Sequence, residues 1–309
     1  MAPPLLRIGT RGSKLALVQA RLVREALATA VPALAATDAI ETVVIRTTGD
    51  AIQDRPLSEA GGKGLFVKEI EEALLSARID MAVHSMKDMP TAQPAGLVIA
   101  AFLPREDARD VLIAGDVGRI ADLRRGAVVG TSALRRRAQL LHRRPDLTIV
   151  ALRGNVDTRL AKREAGAVEA TILALAGLKR LGMADVGSPI PEDEMLPAVG
   201  QGAVCIECRA DDERTRAWLS AIDHAPTATC VGTEHALLAV LDGSCRTPIA
   251  GHAVLLPEVG LHLRALIAKP DGSDLIATER RGPASDGEAM GRDAAQELLR
   301  RGGSGFLST

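Results

Sequence analysis

Aromatic side chains are almost missing from this 309-residue sequence, which has three Phe, one Trp and no Tyr. Its cores must be built from Ala, Val, Leu and Ile, and a surface that stacks nucleic-acid bases on aromatic platforms is not expected. An excess of charge is missing too. Lys plus Arg number 38 and Asp plus Glu 39, a net charge of −1. A general nucleic-acid binder carries a basic excess, so no nucleic-acid partner is expected and any basic chemistry must be local. No run of about 18 apolar residues occurs, which excludes a transmembrane helix and gives no reason for a membrane partner. The first residues run straight into a strand-like segment and lack the charged and long apolar regions of a signal peptide. Cys205, Cys208, Cys230 and Cys245 are too few to staple a chain of this length. The expectation is a cytoplasmic protein with reduced thiols.

What is present is ample apolar material, 47% of residues, and a length that suggests two or three domains. Up to about residue 180, strand-like and helix-like segments alternate. Strands are expected at Leu5 to Thr10, Ile40 to Thr47, Ile79 to Val83, Leu97 to Leu103, Ala127 to Gly130, Thr148 to Leu152 and Ala170 to Leu175. Helices are expected from Ser13, with Leu15, Val18 and Leu22 on one face, then over Leu65 to Ala77, from Thr131 or Ser132, and over Val156 to Glu164. Such alternation predicts βαβ units and mainly parallel sheets. Beyond residue 225 the pattern changes. A helix over Thr227 to Leu241 precedes strands at Pro248 to Leu255, Leu261 to Ala268 and Leu275 to Glu279, and a helix covers Asp286 to Arg301. Bunched strands with outer helices predict a smaller α+β domain with an antiparallel sheet.

Several constellations could carry chemistry. Arg11, Gly12 and Ser13 lie where a strand meets a helix N-terminus, which suits an anion or an ordinary N-cap. Gly61 to Lys68 is Gly-rich and holds Lys63. It lacks the Ser or Thr of a phosphate-binding loop, and its polar lead-in from Gly49 to Glu59 reads as a mobile lid. His84 to Pro90 follows a buried strand, and Lys87 beside Asp88 is either a surface ion pair or a carboxylate held at a reaction centre. The densest signal is basic: Arg135, Arg136, Arg137, Arg143, Arg144, Arg153, Arg159, Lys162, Arg163, Lys179 and Arg180. Guanidinium groups repeated at strand-to-helix junctions form a receptor for carboxylates or phosphates. Cys205 and Cys208 have a CxxC spacing without a second pair, so core packing is favoured over zinc and no metal is expected. Cys230 falls on an apolar helix. Cys245 follows Asp-Gly-Ser in a junction where a thiol can be reached.

Together these motifs resemble one family, porphobilinogen deaminase. The matching segments are Arg7-Ile-Gly-Thr-Arg-Gly-Ser13, Gly61-Gly-Lys-Gly-Leu-Phe-Val-Lys-Glu69, Ala82-Val-His-Ser-Met-Lys-Asp88, Gly130-Thr-Ser, Leu134-Arg-Arg136, Leu152-Arg-Gly-Asn155, Ala176-Gly-Leu-Lys-Arg-Leu181, Leu196-Pro-Ala-Val-Gly-Gln-Gly-Ala203 and Gly243-Ser-Cys245. They run in family order along nearly the whole chain. Glu59 stands where some members of the family have Lys, and Ala133 where many have Ser. Each departure removes one carboxylate contact.

The resemblance implies a transferase that joins four porphobilinogen molecules head to tail into hydroxymethylbilane, releasing ammonia at each step of tetrapyrrole synthesis. It implies a covalent dipyrromethane cofactor in thioether linkage to Cys245, a catalytic Asp88 and a monomer. Cofactor and chain contacts carried over by motif are Arg11, Ser13, Lys63, Phe66, Ser85, Lys87, Thr131, Ser132, Arg135, Arg136, Arg153, Gly154, Arg159 and Arg180. Two primer rings and four added rings bring roughly a dozen carboxylates, which fixed guanidinium groups would balance. The implied fold is α/β with two lobes like those of periplasmic binding proteins. Domain 1 is residues 1–103 and 198–221, domain 2 is 104–197, and a smaller α+β domain 3 with an antiparallel sheet is 222–309. The alternative is a non-catalytic two-lobed anion-binding module, which needs neither Asp88 nor Cys245.

Overall fold

The computed structural model describes residues 3–51, 66–241, 247–303, 305 and 306. The chain forms two compact units, Met1–Arg105 with Ala203–Ala228 and Glu106–Gly202 with Thr229–Thr309. The first crossing, at 105/106, falls near the expected 103/104. The second, at 202/203, falls five residues beyond the expected 197/198, and residues 229–309 share a unit with 106–202.

Unit 1 opens with β1 (Leu6–Arg11), α1 (Lys14–Ala30), β2 (Ile40–Ile45), α2 (Thr48–Ala51), α3 (Lys68–Leu75), β3 (Met81–Ser85) and β4 (Leu97–Phe102). Unit 2 continues with β5 (Asp110–Ile113), β6 (Val128–Gly130), α4 (Leu134–Arg143), β7 (Thr148–Val150), α5 (Val156–Glu164), β8 (Ala170–Ala174), α6 (Leu175–Arg180) and β9 (Ser188–Pro189). The chain returns to unit 1 through β10 (Val204–Arg209) and α7 (Glu213–Ser220). It then forms α8 (Ala225–Val240), β11 (Ile249–Leu256), β12 (Gly260–Ala268), β13 (Leu275–Gly282) and α9 (Gly287–Gly302).

The two larger sheets have one plan. Their orders are β2-β1-β3-β10-β4 and β7-β6-β8-β5-β9. In the first, β1 pairs in parallel with β2 and β3, and β10 runs antiparallel to both β3 and β4. In the second, β6 pairs in parallel with β7 and β8, and β5 runs antiparallel to β8 and β9. One strand in each sheet therefore opposes four that point the same way, which is the mainly parallel arrangement the sequence predicts. The opposing strand is in each case the first one formed after the chain changes unit. The third sheet, β11-β12-β13, is antiparallel throughout.

Packing follows from the scarcity of aromatics. In unit 1 one face of the sheet packs Leu6, Ile8, Met81, Val83, Val204 and Ile206 against Ala20, Val23 and Leu27 of α1. The other face packs Ala82 and Ile79 against Ile70, Ala73 and Leu74 of α3. The buried stripe of α1 is Ala16, Gln19, Ala20, Val23 and Leu27. The expected Leu15, Val18 and Leu22 are only half-buried. Alanines on the stripe bring helix and sheet close, and the larger leucines flank it. The predicted helix from residue 65 begins at Lys68, and the predicted loop from Gly49 starts inside the helical turn Thr48–Ala51. The rest of the predicted lid, with Lys63 and Glu59, lies outside the described residues.

Candidate active site

In unit 1 the C-terminal ends of β1 and β3, adjacent in the sheet, bring together most of the predicted residues of that lobe. Arg11 closes β1, and its Cζ lies 4.1 Å from the centroid of the Phe66 ring. A cation over an aromatic face is attracted by the ring quadrupole, which orients the guanidinium. Ser13 caps α1: its backbone is extended and its Oγ accepts the Ala16 N–H at 3.3 Å. Ser85 ends β3 and exchanges hydrogen bonds with the Gln19 amide of α1, at 2.8 and 3.2 Å. A single 3₁₀ turn follows, Met86–Asp88. It drives Met86 into the core, leaves Lys87 half-buried and exposes the Asp88 carboxylate. The turn is fastened by Met86 N–H donating to Ala203 O at 3.0 Å.

In unit 2 the corresponding strand ends carry the basic residues. After β6, Thr131 is buried and its Oγ1 accepts the Ala133 N–H at 3.2 Å, while the Ser132 hydroxyl donates to Leu152 O at 3.1 Å. Ala133, which stands where many relatives of the motif have Ser, supplies no side-chain cap to α4. After β7, Gly154 has φ +119°, a conformation that L side chains avoid, and a Cβ there would lie 2.6 Å from Thr158. Asn155 caps α5, accepting from Thr158 N–H at 2.9 Å and from its hydroxyl at 2.8 Å. Arg159 Nε donates to Gly154 O at 2.8 Å and Lys162 Nζ to Arg153 O at 3.1 Å. Arg153 is half-buried at this turn. Arg180 ends α6 and donates to Gly202 O at 2.7 Å. Burial lowers its affinity for the proton, and Glu106 opposes that without cancelling it.

Arg135 and Arg136 differ from the other basic residues. They are 6% and 5% exposed, and the carboxylate they hold is the protein's own. Arg135 donates to Asp110 Oδ2 at 2.8 Å and to Leu196 O at 2.7 Å. Arg136 donates to Asp110 Oδ1 from Nε at 3.2 Å and from NH2 at 2.8 Å, and to Ile172 O at 2.9 Å. Gln201 Nε2 adds a bond to Asp110 Oδ1 at 2.9 Å. Burial alone would push the Asp110 carboxyl up. The two guanidinium charges and the bonds from Arg136 and Gln201 outweigh it and hold the group far below the usual carboxylate range. Two cations on one anion leave one positive charge in excess. Sequence reasoning missed Asp110. Its only signal is an Asp directly before the apolar run Val-Leu-Ile, and its partners lie 25 and 26 positions on.

The thiols are also sorted by geometry. On β10, Cys205 pairs with His84 and Cys208 with Met81, so the two point to opposite faces of the sheet and cannot share a metal. Burial raises both thiols, Cys208 to about 11, which leaves them poor nucleophiles. Cys230 is buried on α8. Cys245 and Lys63 lie outside the described residues.

Residues 6–217 match the family model described as porphobilinogen deaminase, dipyromethane cofactor binding domain, and residues 228–300 match the one described as porphobilinogen deaminase, C-terminal domain. The chain is 58% identical over 303 residues to the porphobilinogen deaminase of Paracoccus denitrificans, covering 98% of this chain and 96% of the relative. It is 50% identical over 308 residues to the chloroplastic porphobilinogen deaminase of Oryza sativa, covering 99% and 86%. Among solved structures, the periplasmic aliphatic sulphonate binding protein SsuA of Escherichia coli matches with a TM-score of 0.42 at 18% identity, covering 77% of this chain and 70% of that one.

Proposed function

The chain belongs to the porphobilinogen deaminase family, and from that premise we propose how its own residues carry out the family's reaction. The enzyme joins four porphobilinogen molecules head to tail into hydroxymethylbilane, with loss of one ammonia per unit, on a dipyrromethane primer. When bound, the primer would supply a nucleophilic pyrrole α-carbon.

The residues present suit such a polyanionic group. Unit 2 has one excess positive charge at Asp110, Arg135 and Arg136, with Arg153, Arg159 and the α5 N-terminus beside the β7 end. The strand ends of unit 1 carry Arg11, Lys87 and the Ser13 and Ser85 hydroxyls. Arginines at fixed strand ends bind acetate and propionate arms by charge-assisted, paired hydrogen bonds. Lys63 and Phe66 contribute from the Gly-rich segment, Thr131, Ser132 and Gly154 through hydroxyls and backbone, and Arg180 from the end of α6.

Asp88 has the opposite charge and the opposite task. Loss of ammonia from the porphobilinogen aminomethyl group leaves a cation delocalised over the pyrrole. The Asp88 carboxylate stabilises that cation and accepts hydrogen bonds from pyrrole N–H groups. After carbon–carbon bond formation, an Asp88 oxygen takes the proton that leaves the attacking α-carbon. The single observation that carries this assignment is the exposed Asp88 carboxylate on a turn fixed at the end of β3.

Attachment of the primer to Cys245 through a thioether is what the Gly243-Ser-Cys245 match to the family implies, and the burial of the other three thiols supports it. We read the chain outside domain 1 as two domains, 104–197 and 222–309, and the enzyme as a cytoplasmic monomer without nucleic-acid or membrane partners. No helix among the described residues is long and apolar enough to cross a membrane. Intact-protein mass tests the assignment: the parent should carry one dipyrromethane adduct on the peptide containing residue 245, and Cys245→Ser should carry none and turn over no porphobilinogen. An adduct on Cys205, Cys208 or Cys230, or active enzyme without an adduct, would refute it.

A further inference from the structure

Helix α4 carries Arg135 and Arg136 in its first turn and packs against two sheets of unit 2 at once. Arg136 and Leu140, four residues apart, look one way. Arg136 reaches Asp110 of β5, and Leu140 packs with Leu112, Val129 and Ile172 of the larger sheet. Arg135, Ala138, Gln139 and His142 have the spacing of another helix face. Ala138 is buried in a cluster with Leu196 and with Ala250, Leu266 and Ala268 of the C-terminal sheet. The alternate residues of β12, Leu263, Ala265 and Ile267, point to the other side of that sheet, where Leu237 of α8 and Ala294 and Leu298 of α9 cover them.

Contacts at both ends of α4 fasten it on the side of the C-terminal sheet. Gln139 holds the Leu196 peptide by both of its polar groups: Oε1 accepts the Leu196 N–H at 2.8 Å, and Nε2 donates to Leu196 O at 3.1 Å. Arg135 donates to that same carbonyl. The next carbonyl, of Pro197, accepts the Gly251 N–H of β11 at 3.2 Å, which ties the segment to the sheet. At the C-terminal end of α4 sits the turn Pro270-Asp271-Gly272, which joins β12 to β13. Gly272 N–H closes the turn on Lys269 O at 2.9 Å, and Gly272 O lies 3.1 Å from His142 Nδ1. Gly272 has φ +73°, and a Cβ there would lie 2.5 Å from His142 N and 2.6 Å from Leu141 Cβ. A side chain at this position would have to push the helix.

We propose that the C-terminal sheet is part of the carboxylate receptor: it braces α4 and sets where the Arg135 and Arg136 pair stands, with Gln139 and Gly272 as positioning residues. The inference rests on that pair binding the acetate and propionate arms. Asp110 fixes the guanidinium ends, whereas the line of the helix is fixed by packing at Ala138 and by the contacts at Gln139 and Gly272. Packed helices move as units, by shifts of about 1–2 Å. A push at the C-terminal end of this ten-residue helix therefore reaches the arginines at its start. Paired hydrogen bonds from a guanidinium to a carboxylate depend on geometry as well as charge, so such a shift weakens the grip on the arms.

The test compares two glycines of the same sheet. Gly260, the first residue of β12, has φ +76°, and a Cβ there would lie 2.6 Å from Gly282 O, which belongs to that sheet. Alanine strains the backbone at either position, but only at 272 does it press on α4. Holoenzymes, each checked for cofactor by intact mass, are assayed for kcat and KM for porphobilinogen and for enzyme-bound chain intermediates. Thermal unfolding measures the strain. Gly272→Ala should raise KM at least about tenfold with kcat within about threefold, since a misplacement of about 1 Å remote from the chemistry can cost about 10²-fold. It should also lose chain intermediates early. Gln139→Met, similar in volume but without the hydrogen bonds, should move KM in the same direction. Gly260→Ala should lower Tm comparably and keep the parental KM. A parental KM in Gly272→Ala, or an equal rise in Gly260→Ala, would overturn the proposal. If Gly272→Ala does not accumulate as folded protein, Gln139→Met decides, and a parental KM there overturns it. Arg136→Leu separates the brace from the reading beneath it. A raised KM in Arg136→Leu beside a parental KM in Gly272→Ala refutes the brace alone, whereas a parental KM in Arg136→Leu refutes the assignment of the pair to the arms.

Discussion

The two five-stranded sheets share one strand plan, yet each uses its buried and exposed aspartates differently. In unit 1 the strand end at β3 exposes Asp88. In unit 2 the opposing strand β5 begins with Asp110, fully buried between Arg135 and Arg136. The same residue type is therefore a reagent in one lobe and a counter-ion in the other. Solvent exposure and the number of surrounding cations make the difference. A carboxylate sealed from solvent and held by two guanidinium groups and a glutamine is closed to a substrate. One at an open turn has both oxygens available.

The contrast extends to pH. Asp110 is held far below the usual range, against burial, by Arg135 and Arg136. A depressed carboxyl contributes stability that is present above its unfolded value, near about 4, and that is lost as pH falls from there towards the folded value. Glu71 is raised by burial and by Glu207. A raised carboxyl contributes stability that is complete below its unfolded value and lost as pH rises through the folded value. Acid should weaken the polar core of unit 2, and alkali that of unit 1.

The largest change in stability should come from breaking the counter-ion. Asp110→Asn leaves two buried guanidinium groups without a charge partner and should cost about 3–5 kcal/mol of folding stability, read by denaturant unfolding. A stability equal to the parent's would erase the distinction between the two aspartates. Arg153→Leu should come next. Loss of a charge-assisted pair to a carboxylate arm should cost about 1.5–3 kcal/mol in binding, seen as a raised KM and early loss of chain intermediates, with stability little changed. Normal KM and normal intermediates would remove Arg153 from the receptor. The opposed pH responses can be read by hydrogen exchange corrected for its intrinsic pH dependence. Peptides covering 110–113 and 134–143 should lose protection first in acid, and those covering 68–75 and 204–209 first in alkali. The smallest effects concern the two caps. Ser13→Ala and Asn155→Ala should each cost about 1 kcal/mol. Asn155→Ala should cost more, because its carbonyl takes two bonds, at 2.9 and 2.8 Å, against one at 3.3 Å for Ser13.

How much of this was legible in the sequence varies with how local the signal is. The helix Val156–Glu164 was readable to the residue because Gly-Asn supplies its turn and cap. The three antiparallel strands of the C-terminal sheet were readable because turn residues bound apolar runs. The strand Asp110–Ile113 and the helices Leu175–Arg180 and Glu213–Ser220 were not anticipated. The first is four residues long and follows a charged stretch. The helix Leu175–Arg180 continues directly from a strand without a break. The helix Glu213–Ser220 is polar on most of its surface. The basic strand ends were visible as clusters. Which arginines were already committed to a partner was not, because Asp110 reaches Arg135 and Arg136 only through the sheet. The same applies to His84 and Glu207, which lie 123 positions apart. Cys205 and Cys208 show the converse: a spacing that suggests shared chemistry is cancelled by the alternation of a strand.

Turnover per cofactor-loaded molecule in Asp88→Asn, measured beside Asp110→Asn, tests the central claim most directly. Asp88→Asn should fold with parental stability, carry the dipyrromethane, and turn over porphobilinogen at least about 10²–10³-fold more slowly, the loss expected when one preorganised electrostatic partner is removed. Asp110→Asn should lose stability while whatever folds and loads retains far more of its turnover. Near-normal turnover in Asp88→Asn, or an equal loss per loaded molecule in both variants, would contradict the assignment of the chemistry to the exposed aspartate.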